Sequence, residues 1–251
     1  MQPLVLCYHG VSDSWSHSLA VTTRALERQL RALLRRGYRP VPATETLAGR
    51  GRLLHVTFDD AYRNVADALP TLERLEVHAT VFACTGYAVD GRPLDVPEVA
   101  SAAAANPEHM ATMNWDELRA LAERGVEIGS HTISHPHLPR LDDRELEHEL
   151  LDSRTALEDQ LGRPCRLLAY PYGDDDERVY RAAQQAGYEG AFSLRGRAGQ
   201  HDRYAIPRVD IYRKDNAVHV WLKTSFLRRP AIAAAAQLRS GSARRESQCA
   251  P

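Results

Sequence analysis

Short apolar runs rich in β-branched residues alternate along this chain with stretches whose apolar positions recur at helical spacing. The runs Leu4 to Tyr8, Leu53 to Phe58, Ala79 to Cys84, Val126 to Ser130, Arg166 to Tyr170, Gly190 to Leu194 and Ala205 to Ile211 read as seven strands. Strands alternating with helices argue for βα units around a parallel sheet or barrel. Thr23 to Arg36 carries Ala25, Leu26, Leu30, Leu33 and Leu34 at helical spacing and stops at Gly37, a residue type favoured just past a helix end. Asn114, with Glu117 three residues on, predicts a capped helix over Trp115 to Arg124 that Gly125 closes, which leaves Ser130 and His131 just beyond the next strand. Asp142 to Leu161 is heavily charged, with Leu146, Leu150, Leu157 and Leu161 as one buried stripe, so its charges read as a solvated face. Thr85 to Asn106, with Pro93, Pro97 and an alanine run, reads as a loop or lid holding a short helix.

Composition adds bounds. With 251 residues, 43% of them apolar and 26% charged, the chain can bury a sizeable core. One domain over residues 1–229 is expected, followed by a tail, 230–251, disordered or partly helical; Ser240 to Pro251 is small, polar and basic. The 32 basic and 33 acidic residues give a formal net charge of -1, hence no overall field to capture nucleic acid or an anionic membrane. Met1 to Tyr8 lacks a basic stretch before its apolar run and reads as a strand, not a signal peptide. No stretch approaches the roughly 18 apolar residues of a membrane span. Cys7, Cys84, Cys165 and Cys249 are scattered, which suits buried hydrophobes plus one tail thiol better than a zinc knuckle or disulfide framework. Together these features lead us to expect a cytoplasmic protein.

Three segments at predicted strand ends carry chemistry, and such ends are where barrels place active sites. In Thr57-Phe58-Asp59-Asp60, two adjacent carboxylates would repel each other if buried, so a metal or basic partner is expected beside them. If the chain turns there, one acid can face a metal and the other the substrate; the competing reading is a helix cap. In His131-Thr132-Ile133-Ser134-His135, two histidines on an extended strand would lie roughly 13 Å apart at about 3.3 Å per residue, so sharing a metal requires the strand to end near Ser130. Two neutral imidazoles and a carboxylate match a three-ligand catalytic zinc set, which nickel, cobalt, iron or manganese would also fit. His137 reads as a bystander. Ala169-Tyr170-Pro171-Tyr172-Gly173 forces a turn that can aim a backbone N–H into a cleft and present an aromatic wall of Tyr170, Pro171 and Tyr172 to a sugar face.

Taken together, Thr-Phe-Asp-Asp, His-Thr-x-x-His and Tyr-Pro-Tyr-Gly, in that order over Leu4 to Phe226, resemble the polysaccharide deacetylase family (NodB homology, carbohydrate esterase family 4). The resemblance implies a single distorted (β/α) barrel of about seven strands, a bound divalent metal, Asp59 as catalytic base, and Asp60, His131 and His135 as metal ligands. It also implies that the Tyr172 N–H helps hold the oxyanion. The expected reaction is hydrolytic removal of acetyl, most simply N-acetyl, from a sugar by a metal-activated water; a small glycoside is favoured over a wall polymer. Two departures stand out. Ala169 occupies the place where many members carry an arginine that orients the base, and Arg208, on the predicted last strand, is the candidate replacement. The general acid is unassigned among His9, His201 and His219, while His55 reads as a core residue. Two other readings stay open: a catalytically impaired carbohydrate-binding protein on the same barrel, and a metal-dependent hydrolase of a non-sugar amide or ester.

Overall fold

The computed structural model describes residues 2–194 and 202–225; His201, Cys249 and the tail expected from residue 230 lie outside them. All seven expected strands form, each within about one residue of its predicted ends. They are β1 (Leu4–Tyr8), β2 (Leu53–Phe58), β3 (Ala79–Ala83), β4 (Glu127–Ser130), β5 (Leu167–Ala169), β6 (Gly190–Ser193) and β7 (Ile206–Asp210). Each pairs in parallel with the next, and β1 pairs with both β2 and β7, so the seven close into a ring. Short pairings that the hydrophobic pattern did not announce are added: Arg39–Pro40 pairs in parallel beside the start of β2, and Gly10–Val11 pairs with Ala20–Val21.

Alternate residues of each strand face opposite ways, and here both faces are apolar for different reasons. Val5, Phe82, Leu167, Ala169, Phe192 and Ile206 meet in one buried cluster inside the ring. Leu4, Leu6, Leu54, Val56, Val81, Leu168 and Tyr170 pack outward beneath the helices. Helix α1 (Thr23–Arg35) buries Leu26, Leu30 and Leu33 against that outer face, each worth about 1.5–3 kcal/mol. The Thr22 hydroxyl caps it by accepting from the Ala25 N–H. The reciprocal Asn114–Glu117 capping box opens α2 (Trp115–Glu123), and Gly125, at φ +85°, turns the chain into β4.

Two expectations need correction. The charged stretch after Asp142 is not one uniform helix: α3 (Asp143–Glu147) and α4 (Ser153–Leu161) are joined by a wider π turn over His148–Asp152. Nor are all its charges solvated, because Glu149 is buried there. The segment after β3 does hold a short helix, Ala100–Ala105, but it is not an open loop. Tyr87, Leu94, Val96, Ala103 and Met110 form a second apolar cluster with Trp15 and Tyr62 over the rim of the ring.

Candidate active site

The site forms where the carboxyl ends of the strands meet. Through Cys7, Thr57 on β2 is level with Asp210 on β7, and through Val5, His55 is level with Arg208. Asp59 continues the inward alternation of His55 and Thr57, whereas Asp60 leaves the strand, because Asp60 and Ala61 adopt left-handed conformations at φ +66° and +49°. Such conformations cost residues with a Cβ roughly 1–2 kcal/mol each. The turn brings two consecutive acids to one mouth with different partners.

Asp59 is held by Arg208. The guanidinium donates from Nη1 to Oδ1 at 2.6 Å and from Nη2 to Oδ2 at 2.8 Å, and Nη1 also donates to the Thr57 hydroxyl at 3.1 Å. Both residues are buried, and the arginine also lies over the Phe82 ring. Burial alone would raise the Asp59 pKa, but Arg208, helped by His131 and His9, holds the carboxyl well below the usual range. Arg208 is thus in direct contact with Asp59. This cation comes from β7; at the Ala169 position on β5 a methyl group packs beside Phe82 and Phe192.

β4 ends at Ser130, as the two-histidine spacing requires. Left-handed conformations at Thr132 (φ +72°) and His135 (φ +62°) fold the loop so that the two imidazole rings lie 4.8 Å apart. Asp60 Oδ1 is 3.6 Å from His131 Nε2 and 3.4 Å from His135 Nε2. His131 Nδ1 is fixed by the Ala169 carbonyl at 2.7 Å, which aims Nε2 at the acids. Burial pushes both imidazoles down to about 4, so they are neutral at pH 7, while burial raises Asp60. Asp60 Oδ1 has no hydrogen-bond donor although it is buried, an arrangement that is costly without a cation. One ligand atom each from Asp60, His131 and His135 lies within 4.8 Å of the others, a donor set that fits a divalent metal. Cys7, His9 and Asp59 also converge, yet both Asp59 oxygens are engaged by Arg208, which leaves that group poorly suited to a cation.

The Tyr-Pro-Tyr-Gly turn places its residues unequally. Tyr172, at φ +59°, sets its ring edge-on to His135 at 4.4 Å and stacks it on His137 at 4.1 Å. Gly173 is required beside it, because a Cβ there would stand 2.4 Å from Leu194 Cβ. Tyr170 cannot form a sugar-facing wall: it faces outward with Leu168, is fully buried, and donates its hydroxyl to the Tyr204 carbonyl. Pro171 is buried as well and shapes the turn.

His137 stands outside the candidate ligand group but is hydrogen-bonded at its edge. Its Nδ1 lies 3.1 Å from Asp174 Oδ2 and its Nε2 3.3 Å from Glu98 Oε1, and Glu98 also accepts the Tyr172 hydroxyl at 2.7 Å. Glu98 thus ties the segment after β3 to the mouth. Of the candidate acids, His219 is exposed with its Nδ1 against the Lys214 carbonyl. His55 is a core residue bonded to the Val41 carbonyl and the Thr80 hydroxyl. His9 stacks on Tyr212 and is near enough to Asp59, Asp60 and Asp210 to influence their ionisation. Asp210 was not singled out, although its spacing of two from Arg208 puts it on the same inner face; its Oδ1 is buried without a partner, as is His9 Nδ1. Tyr62, fully buried two residues after Asp60, was also missed.

Residues 47–191 match the profile of a family described as polysaccharide deacetylase. A Bacillus subtilis protein named as a polysaccharide deacetylase, YxkH, is 25% identical over 217 residues, covering 82% of this chain and 70% of that protein. The peptidoglycan-N-acetylglucosamine deacetylase of Bacillus cereus is 26% identical over 160 residues, 62% of this chain and 64% of that one. Among solved structures, the Streptococcus pyogenes deacetylase PplD in complex with acetate superposes with a TM-score of 0.73 at 19% identity, covering 90% of this chain and 99% of that one. IcaB from Ammonifex degensii gives 0.72 at 24% identity, with coverages of 89% and 97%. At these identities the two structures speak for the fold, which is the same barrel.

Proposed function

This chain belongs to the polysaccharide deacetylase family, and from that premise we propose that it hydrolyses the acetyl group from an N-acetylated amino sugar with the help of a divalent metal. The observation that carries the proposal is the meeting of Asp60, His131 and His135 next to an Asp59 that an arginine keeps ionised. Those three residues would hold the metal, zinc being the first candidate. Asp59 takes the proton of the attacking water. Held so far below its ordinary pKa, it is a weak base, and a bound metal would supply what such a base lacks by acidifying water and drawing electron density from the acetyl carbonyl. The Tyr172 N–H is our candidate donor to the developing oxyanion, a role often worth about 3 kcal/mol. His9, at the same mouth, is the candidate to protonate the leaving nitrogen.

The reading of an impaired, sugar-binding barrel drew on the arginine missing at Ala169 and on the unassigned general acid; the Arg208–Asp59 contacts weigh against the first ground alone. Acetate release from a panel of acetylated amino sugars and glycans, with and without a chelator, is the test. Release is expected from at least one N-acetyl substrate, to stop on metal removal and to return with added zinc or cobalt. Release that survives complete metal removal would sink the mechanism.

A further inference from the structure

We propose that Glu149 is a positioning residue for the metal centre, fixing the loop between its two histidines from a π turn; this rests on the metal-site reading above. The Glu149 carboxylate is buried and accepts three hydrogen bonds from that loop: from the Ile133 N–H at 2.7 Å, the Ser134 N–H at 3.0 Å and the Ser134 hydroxyl at 2.5 Å. Among the described residues it joins no ion pair within 4 Å, so these donors compensate its burial.

Two of the three donors are backbone groups lying between His131 and His135. They need an acceptor because Thr132 and His135 are in left-handed conformations, which removes this stretch from any regular ladder. A second grip comes from the same helical face four residues on. The Ser153 and Ser130 hydroxyls lie 2.8 Å apart, and Ser130 accepts the Thr132 N–H at 3.0 Å. The loop's own carbonyls, Thr132 and Ile133, accept from the Thr85 and Gly86 N–H groups at 3.1 and 3.0 Å.

Glu149 lies inside the π turn His148–Asp152, while Leu146, Leu150 and Leu157 of the same stretch stay buried. The wider turn offsets the helical phase locally, so an acid of this charged stretch faces inward while the leucine stripe keeps its packing. The carboxylate touches neither metal ligand's ring directly. It acts by holding His131 and His135 at the separation that lets both reach Asp60.

The test uses the full chain with Glu149→Ala and Glu149→Gln, and the exposed neighbour Glu147→Ala as control. Affinity for Zn²⁺ by competition with a chromophoric chelator, and the visible spectrum of the Co²⁺-loaded protein, report on the centre without reference to turnover. Amide hydrogen exchange at Ile133 and Ser134 reports on the loop with no metal present. Both Glu149 variants are expected to bind Zn²⁺ about 10- to 100-fold more weakly, the range typical of outer-shell changes at metal sites. They should also alter the Co²⁺ spectrum and speed exchange at the two amides, with Glu147→Ala unchanged. Unaltered exchange, unaltered affinity, or failure of both variants to fold would overturn the proposal, the last by making Glu149 a stability residue. If the parent protein takes up no metal, the functional reading falls, and the exchange data still decide whether Glu149 holds the loop.

Discussion

Replacing Arg208 by alanine tests the tightest contact in the site. Its side chain is 0% exposed and that of Asp59 4%, so the substitution strands a carboxylate that water cannot readily reach. The Cys7 thiol at 3.4 Å and His131 Nε2 at 3.9 Å remain near it, and neither replaces a two-pronged cation. Leaving one partner of a buried pair uncompensated typically costs about 3–5 kcal/mol. At about 2–4 °C per kcal/mol for a chain of this size, the midpoint of thermal unfolding should drop by roughly 6–20 °C. The pH dependence carries a sign. With Arg208 present, Asp59 is depressed below its unfolded value of about 3.9, so its contribution to stability is in place above that pH and is lost as pH falls toward the folded value. Without Arg208, burial and the neighbouring Asp60 raise Asp59 above the ordinary carboxylate range, and the contribution becomes a penalty at neutral pH. Turnover of metal-saturated protein, measured as acetate release from pH 4 to 9, should fall and gain an acid limb displaced upward. Arg208→Lys should restore part of the stability but less of kcat, because an ammonium cannot align both oxygens. Unchanged kcat and pH profile in Arg208→Ala, alongside an inactive Asp59→Ala, would refute the reasoning.

Further outcomes are expected from the same geometry. Asp60→Asn, His131→Ala and His135→Ala should each leave the dialysed protein without a stoichiometric metal by elemental analysis; full retention by any of them would exclude that residue as a ligand. His9→Ala should slow hydrolysis of an N-acetyl substrate by about 10²–10⁴-fold while sparing an aryl acetate whose leaving group needs no proton, and equal losses on both would remove His9 as the acid. In metal-free protein, His55, His131 and His135 are held down to about 4 by burial, so the unfolded chain binds protons first as pH falls. Stability should then decline from about pH 6.5 to 4, by up to about 1.4 kcal/mol per pH unit for each histidine. A flat thermal midpoint across that window would contradict their burial as neutral rings.

The strands were legible because a seven-fold alternation of short apolar runs with amphipathic stretches has few other solutions, and Asp59, Asp60, His131 and His135 were legible because they sit at the ends of those runs. Arg208 could be inferred only as the answer to a gap at Ala169. What escaped depended on contacts distant in sequence. Glu149 looks like any other acid in a solvated stretch, and nothing local announces that the helix widens by a turn around it. The contacts of His137 are with Glu98 and Asp174, which lie 39 and 37 residues away. Tyr170 misled for the opposite reason: an aromatic beside Pro-Tyr-Gly suggests a platform, but alternation along β5 sends it outward with Leu168.

The arginine paired with Asp59 is 149 residues downstream of it, on the strand that seals the ring against β1. Until that last strand docks, Asp59 and Asp60 have only each other and a few histidines for company. A nascent or truncated chain lacking it should therefore be inert however well its earlier units have assembled. Pairings so distant in sequence are the kind that form late in folding, so the pocket around Asp59 is completed only when the ring closes.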